Sequence, residues 1–257
     1  MTQASNTSWR KIFKDHKIHK HDFARSPFVI TNRQIKQSCQ NFRQTARKEV
    51  RILCKQDSRE KRPEVFQENG LFLLPVKNGT YAIIEGEGYV DIPEIETAAR
   101  IYKSKLGFRP DTSHIGNSEM QHLDYAYASS LIRSLTDDDT FVLTIRGRKY
   151  TPEFSFSVGK HNQILDVKSV QTEVDAGYEG KTRVLLIEAK NSSTDNVIIR
   201  QMYYPFRQWQ THTRKPVELI FFEKRAEDYC IWRFVFDDVN NYNSIRLVDS
   251  ARYQISD

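Results

Sequence analysis

The sequence predicts an α/β protein: a mixed central β-sheet flanked by helices, preceded by a smaller N-terminal α+β unit. Three observations predict it. Residues 141–146, 152–158, 164–175 and 183–189 carry strand patterns in succession. A helical pattern over 196–210 then separates them from two more apolar strands, 217–222 and 230–236. Strands that resume after a crossover helix build a mixed sheet. Ahead of this run, Asn78-Gly79 lies between the apolar stretches 72–75 and 81–84, which marks a hairpin of its own. The expected division is 1–95 for the N-terminal basic unit and 96–257 for the core.

Taken in order, residues 8–24 read as a short helix with Trp9, Ile12, Phe13 and Ile18 on one side, ended by Pro27. Phe28-Val29-Ile30 reads as a short strand, and Thr31 or Asn32 is placed to cap a helix through Ile35, Cys39 and Phe42. Residues 50–54 are a strand candidate, 57–63 a charged connector, and Gly86-Glu87-Gly88 a second turn. Ile95, Ala98, Ala99 and Tyr102 have helical spacing, with Gly107 as the stop. Met120, Leu123, Tyr127, Leu131 and Leu135 form the apolar stripe of a helix over 117–135, with Asn117 or Ser118 as its N-cap. Residues 245–255 are expected to add an edge strand.

Composition narrows the function classes. Hydrophobic residues make up 39%, enough for a sizeable core, and no apolar run approaches the roughly 20 residues a membrane span needs. The polar N-terminus has no secretory core, and the three cysteines, widely spaced, read as free thiols of a reducing, prokaryotic cytoplasm. No complete nucleotide-binding loop is present, which argues against a nucleotide cofactor. The net charge of +6 is uneven: residues 1–62 hold 16 Lys and Arg against 5 Asp and Glu, and the remainder 23 against 28. A basic arm beside an acidic core suits a protein that grips a polyanion with one part and metal ions with another.

The densest chemistry lies at Val174-Asp175 and Leu185-Leu-Ile-Glu188-Ala-Lys190. On a strand, positions i and i+2 share a face, so Glu188 and Lys190 project together while Ile187 and Ala189 enter the opposite layer. Two carboxylates meeting in a cleft can hold Mg²⁺, and an ammonium beside them can orient water or balance charge on phosphate. Other readings stand beside these: Asp175 as a turn residue, and Glu188 as the ion-pair partner of Lys190 or Lys168. Asp175…Glu188-Ala189-Lys190 resembles the core motif of the PD-(D/E)xK nucleases, the superfamily of most type II restriction endonucleases, with Val174 where proline is usual. Trp9-Arg-Lys-Ile-Phe, Glu68-Asn-Gly-Leu-Phe-Leu-Leu-Pro75 and Gly86-Glu-Gly-Tyr-Val-Asp-Ile-Pro93 are similar to segments of one group of bacterial restriction enzymes.

That resemblance implies a restriction-endonuclease-like core of four or five strands and a Mg²⁺-dependent enzyme cutting double-stranded DNA at a short sequence. Asp175 and Glu188 would bind the metal, Lys190 would position water, and Glu119, at the start of the 117–135 helix, would assist; a first-turn glutamate facing the helix dipole is the other reading. Gln201 resembles a glutamine that many members keep near the site. It also implies a homodimer on a palindrome and a companion methyltransferase, as in a restriction-modification system. From the residues themselves, Glu173 is a further acid two before Asp175. Arg146, Arg148, Lys149 and Arg207 are candidate DNA contacts, as are Lys160, Arg200, Arg214 and Lys215. His16, His19 and His21 read as a basic surface helix. The competing functions are a repair or junction-resolving nuclease, and a DNA-binding protein without catalysis.

Overall fold

Asn78-Gly79 forms the two-residue turn that its sequence specifies, with Gly79 at φ +75°, a conformation that favours glycine. The structure, a computed structural model, describes residues 2–116, 118–191 and 193–256. The N-terminal unit comprises α1 (Thr2–Asp15), β1 (Phe28–Thr31), α2 (Asn32–Cys39), α3 (Thr45–Lys48), α4 (Val50–Leu53), α5 (Glu64–Glu68), β2 (Leu71–Lys77) and β3 (Thr80–Glu85). Its strands form a sheet in the order β1-β3-β2. Strand alternation gives this sheet two apolar faces. Leu71, Leu73 and Ile83 pack with Trp9, Ile12, Ile35 and Phe66 of the helices. Phe72, Leu74, Ala82 and Ile84 join the core of the larger sheet. One continuous apolar layer therefore ties the N-terminal unit to the rest of the chain.

The remaining elements are β4 (Tyr89–Asp91), β5 (Arg100–Lys103), α6 (Glu119–Ala128), α7 (Leu131–Thr136), β6 (Val142–Tyr150), β7 (Phe154–Val158), β8 (Gln163–Val167), β9 (Gln171–Glu179), β10 (Val184–Lys190), β11 (Asn196–Ile198), α8 (Arg200–Gln210), β12 (Val217–Arg225), β13 (Asp228–Phe236) and β14 (Ile245–Ser256). Seven strands build one mixed sheet, β5-β14-β13-β12-β10-β9-β6, with β10 parallel to β12 and β5 parallel to β14. The crossover helix α8 packs on one face, among Leu186, Leu219, Phe221 and Trp232. Helices α6 and α7 cover the other, among Leu185, Ile187, Ile220 and Phe222. The mixed α/β architecture with helices on both faces is the one expected. No helix among the described residues is long and apolar enough to cross a membrane.

Several local expectations change. Of residues 50–54, 50–53 form helix α4 and not a strand: the Glu49 carboxylate accepts from Arg51 N–H, and Val50 and Leu53, three apart, are its buried pair. The first helix ends at Asp15, with Ile18 carried on a separate 3₁₀ turn, and α2 stops at Cys39, short of Phe42. Residues 94–106 are not helical; 100–103 instead form β5, an edge strand pairing with Tyr253–Ser256. Consequently β14 is not an edge. The helix expected over 117–135 breaks into α6 and α7 at Ser130, which takes φ +69°. Asn117, one candidate cap, lies outside the described residues. The run 164–175 divides into β8 and β9 at Ser169, φ +54°, and β11 precedes α8 where one helix was expected.

Candidate active site

Asp175 sits at a fault in the sheet. Along β9, Val174 packs into the α8-side core while Ala176 packs into the α6-side core. Residues two apart share a face on a regular strand, so the alternation is broken between them. The pairing with β6 gives the cause: Ile145 opposes Gly177 and Gly147 opposes Val174, leaving one extra residue in β9. Such a bulge re-aims a side chain. Here it turns Asp175 toward the end of β10, where its Oδ2 accepts the Ala189 N–H at 2.7 Å.

Strand β10 is regular. Val184 and Leu186 face α8, and Leu185, Ile187 and Ala189 face α6, so Glu188 and Lys190 lie together on the α8 side. Lys190 Nζ donates to Glu188 Oε1 and, at 2.9 Å, to the Ala189 carbonyl oxygen. Gln201, in the first turn of α8, donates from Nε2 to the same Glu188 Oε1 at 2.7 Å. The crossover helix thus returns a side chain to the acid that precedes it on the sheet.

Electrostatics follow from burial. Removal from water, with Asp175 and Glu119 nearby, lifts the Glu188 carboxyl from its ordinary 4.5 to about 7 despite Lys190. Burial raises Asp175 as well, opposed by the Ala189 N–H and by Lys190. Burial alone would lower Lys190, but the carboxylates of Glu188, Asp175 and Glu119 outweigh it and hold the amine above its usual value. The lysine is therefore a firm ammonium, while the paired acids are short of positive charge.

These residues line a cleft of about 610 Å³, together with Glu119 and Glu173. Lys55, Asp57 and Lys61 of the N-terminal unit and Arg200 of α8 line it too. Asp57 lies 3.7 Å from Lys55 Nζ and 3.9 Å from an Arg200 nitrogen, both loose pairs. This basic segment is fixed at the cleft by a backbone bond, Ile198 N–H to the Asp57 carbonyl at 3.0 Å, and by a backbone-to-side-chain bond, Arg59 N–H to Asn196 Oδ1 at 2.7 Å. Lys55 and Asp57 escape sequence reading, since no local pattern links them to residues more than a hundred positions away.

The other basic candidates divide. Arg146 pairs with Asp124 at 2.5 Å and Arg148 with Glu173 at 3.2 Å, both on β6 at the edge of the large sheet, where Lys149 is exposed. Arg207 donates to the carbonyls of Ser155 and Val239 and to Tyr203 Oη, and stacks over Phe154, so its guanidinium is committed to packing. Lys160 pairs with Glu85 and Lys215 with Glu179. The three histidines do not converge: His16 contacts Ser38 and His21 contacts the Ser26 carbonyl.

The donor set fits a hard divalent cation. Asp175 Oδ1 and Glu188 Oε2 accept no hydrogen bond among the described residues, while the second oxygen of each is held in place. Gln201 Oε1 is buried beside them without a partner. Among the described residues no three His, Cys, Asp or Glu side chains form a ready cage; Mg²⁺ is commonly held by one or two carboxylates and water.

Neither the curated proteins nor the solved structures compared contain a match to this chain. Residues 6–83 match the family model described as a domain of unknown function, DUF6996. Residues 84–254, more than half of the sequence, match the model described as a domain of unknown function, DUF6997, and the chain belongs to that family.

Proposed function

We propose that this protein is a Mg²⁺-dependent endonuclease of double-stranded DNA, a type II restriction enzyme with a PD-(D/E)xK-like core. The observation that carries the reading is the meeting of Asp175, Glu188 and Lys190 in one cleft. A bulge and a strand end bring them there, and the basic residues Lys55, Lys61 and Arg200 line the same cleft. Restriction cutting, a two-fold dimer on a palindrome and a home in a prokaryotic cytoplasm beside a methyltransferase come from the resemblance of the motif.

In this mechanism Asp175 and Glu188 would hold the cation, and Gln201, which donates to Glu188, would keep that carboxylate in orientation. When bound, Mg²⁺ would supply Lewis-acid charge and a more acidic water. Lys190, being protonated, donates rather than accepts: its ammonium orients the attacking water and stabilises charge on the phosphate oxygens. The attacking water gives up a proton to bulk solvent as its oxygen bonds to phosphorus in line with the leaving sugar oxygen; the phosphorus–oxygen ester bond breaks, and the departing oxygen takes a proton from solvent. The Ala189 N–H fixes Asp175 throughout.

Plasmid DNA incubated with the protein and MgCl₂ tests this reading. Discrete fragments are expected. Random degradation points to a repair-type nuclease with the same core, and bound but intact plasmid refutes catalysis.

A further inference from the structure

A second chamber of about 440 Å³ opens beside the catalytic cleft, and Lys55, Asp57, Gln171 and Arg200 line both. Its walls also include Arg51, Lys77 and the Asn78-Gly79 turn of the β2–β3 hairpin. Gln56 forms part of the inner wall. This residue is only 2% exposed, yet neither its Oε1 nor its Nε2 has a hydrogen-bond partner. A buried donor or acceptor left unpaired costs ~1–3 kcal/mol, so two on one carboxamide demand a reason. The backbone does not supply it. Tyr89 Oη donates to the Gln56 carbonyl at 3.0 Å, and the neighbouring bonds at Asp57 and Arg59 pin the segment. The fold therefore fixes where Gln56 stands and makes no use of its amide.

We propose that Gln56 reads a DNA base next to the scissile phosphate, with the second chamber as the base-recognition pocket; this rests on the nuclease reading of the adjoining cleft. A carboxamide presents one donor and one acceptor side by side. Its complement is a base edge with the same pair, such as the N6 amino group and N7 of adenine. Arg51, Lys55, Lys77 and Arg200 carry the charge that holds the flanking phosphates, which fixes register without reading sequence. The amide is closed to solvent here, so engagement takes a side-chain rotation. The cost of leaving both atoms unpaired in the resting state favours that rotation.

The test is selection from a pool of duplexes with a short randomised centre, with Ca²⁺ in place of Mg²⁺, followed by sequencing of the bound fraction. The wild-type protein is expected to enrich a defined sequence. Gln56→Leu should lose preference at one position by about 5- to 100-fold and keep the others. Gln56→Glu, nearly the same shape, should shift that position toward cytosine, whose N4 amino group donates. The two variants together guard against a folding defect, checked by melting temperature. Identical profiles for all three proteins, or no enrichment by the wild type, overturn the proposal. Unchanged profiles with normal plasmid cutting in Mg²⁺ sink the base pocket alone. Selective binding altered by Gln56 variants, with plasmid left intact, supports the pocket and sinks the nuclease.

Discussion

Glu188→Gln should flatten the dependence of stability on pH. The folded protein holds the Glu188 proton up to about pH 7, against an ordinary carboxyl value of 4.5. The folded state therefore binds more protons than the unfolded chain between those values, and stability falls as pH rises through that window. Below about 4.5 and above about 7 this group contributes no slope. A shift of that size is worth about 3 kcal/mol in total. For a chain of this length each kcal/mol moves the melting temperature by about 2–4 °C, so the wild type should lose about 6–12 °C from this group between pH 4.5 and 8. Glutamine keeps the shape and cannot ionise. Lys190 stays charged across the range, so its altered pairing cancels when each protein is compared with itself. The assay is calorimetric melting of both proteins at a series of pH values without divalent metal. Parallel curves for wild type and variant would refute the claim that burial holds a proton on Glu188 despite Lys190.

Lys190→Ala should lower the cleavage rate by about 10²- to 10³-fold, the usual loss for one group that stabilises charge in the transition state, and leave DNA binding largely intact in a gel-shift assay. Gln201→Leu removes the hydrogen bond that orients Glu188; the Mg²⁺ concentration for half-maximal cleavage should rise about 10- to 100-fold, read from a metal titration. Gly88→Ala would place a Cβ 2.2 Å from the Phe72 ring; this overpacking should cost about 1–3 kcal/mol in chemical denaturation, without altering the metal titration of whatever activity remains.

Much of the site is legible because period-two alternation is local. Spacing alone in the run Leu185 to Lys190 assigns Ile187 and Ala189 to one face and Glu188 and Lys190 to the other, and the structure keeps that separation. The hairpin at Asn78-Gly79 and the Thr31 cap, with its Gln34 reciprocal bond, are likewise written in adjacent residues. What escapes depends on distant partners. The bulge that aims Asp175 is a mismatch between two strands, and neither strand encodes it alone. Residues 100–103 carry a helix-like spacing, yet the open edge of β14 recruits them as a strand. Lys55 and Asp57 reach the cleft, and Gln56 the chamber beside it, because Asn196 and Ile198 hold their segment. Arg207 is a surface charge by composition; the carbonyls of Ser155 and Val239 and the Phe154 ring claim it in three dimensions.

The measurement closest to the core of this account is affinity cleavage of the protein itself. Fe²⁺ with ascorbate and peroxide, in place of Mg²⁺, generates radicals that cut the polypeptide beside the bound cation. Mass spectrometry should find breaks clustered near residues 175 and 188, suppressed by excess Mg²⁺ and absent from Asp175→Asn. Breaks elsewhere, or the same breaks in that variant, would mean that these two carboxylates do not hold the metal.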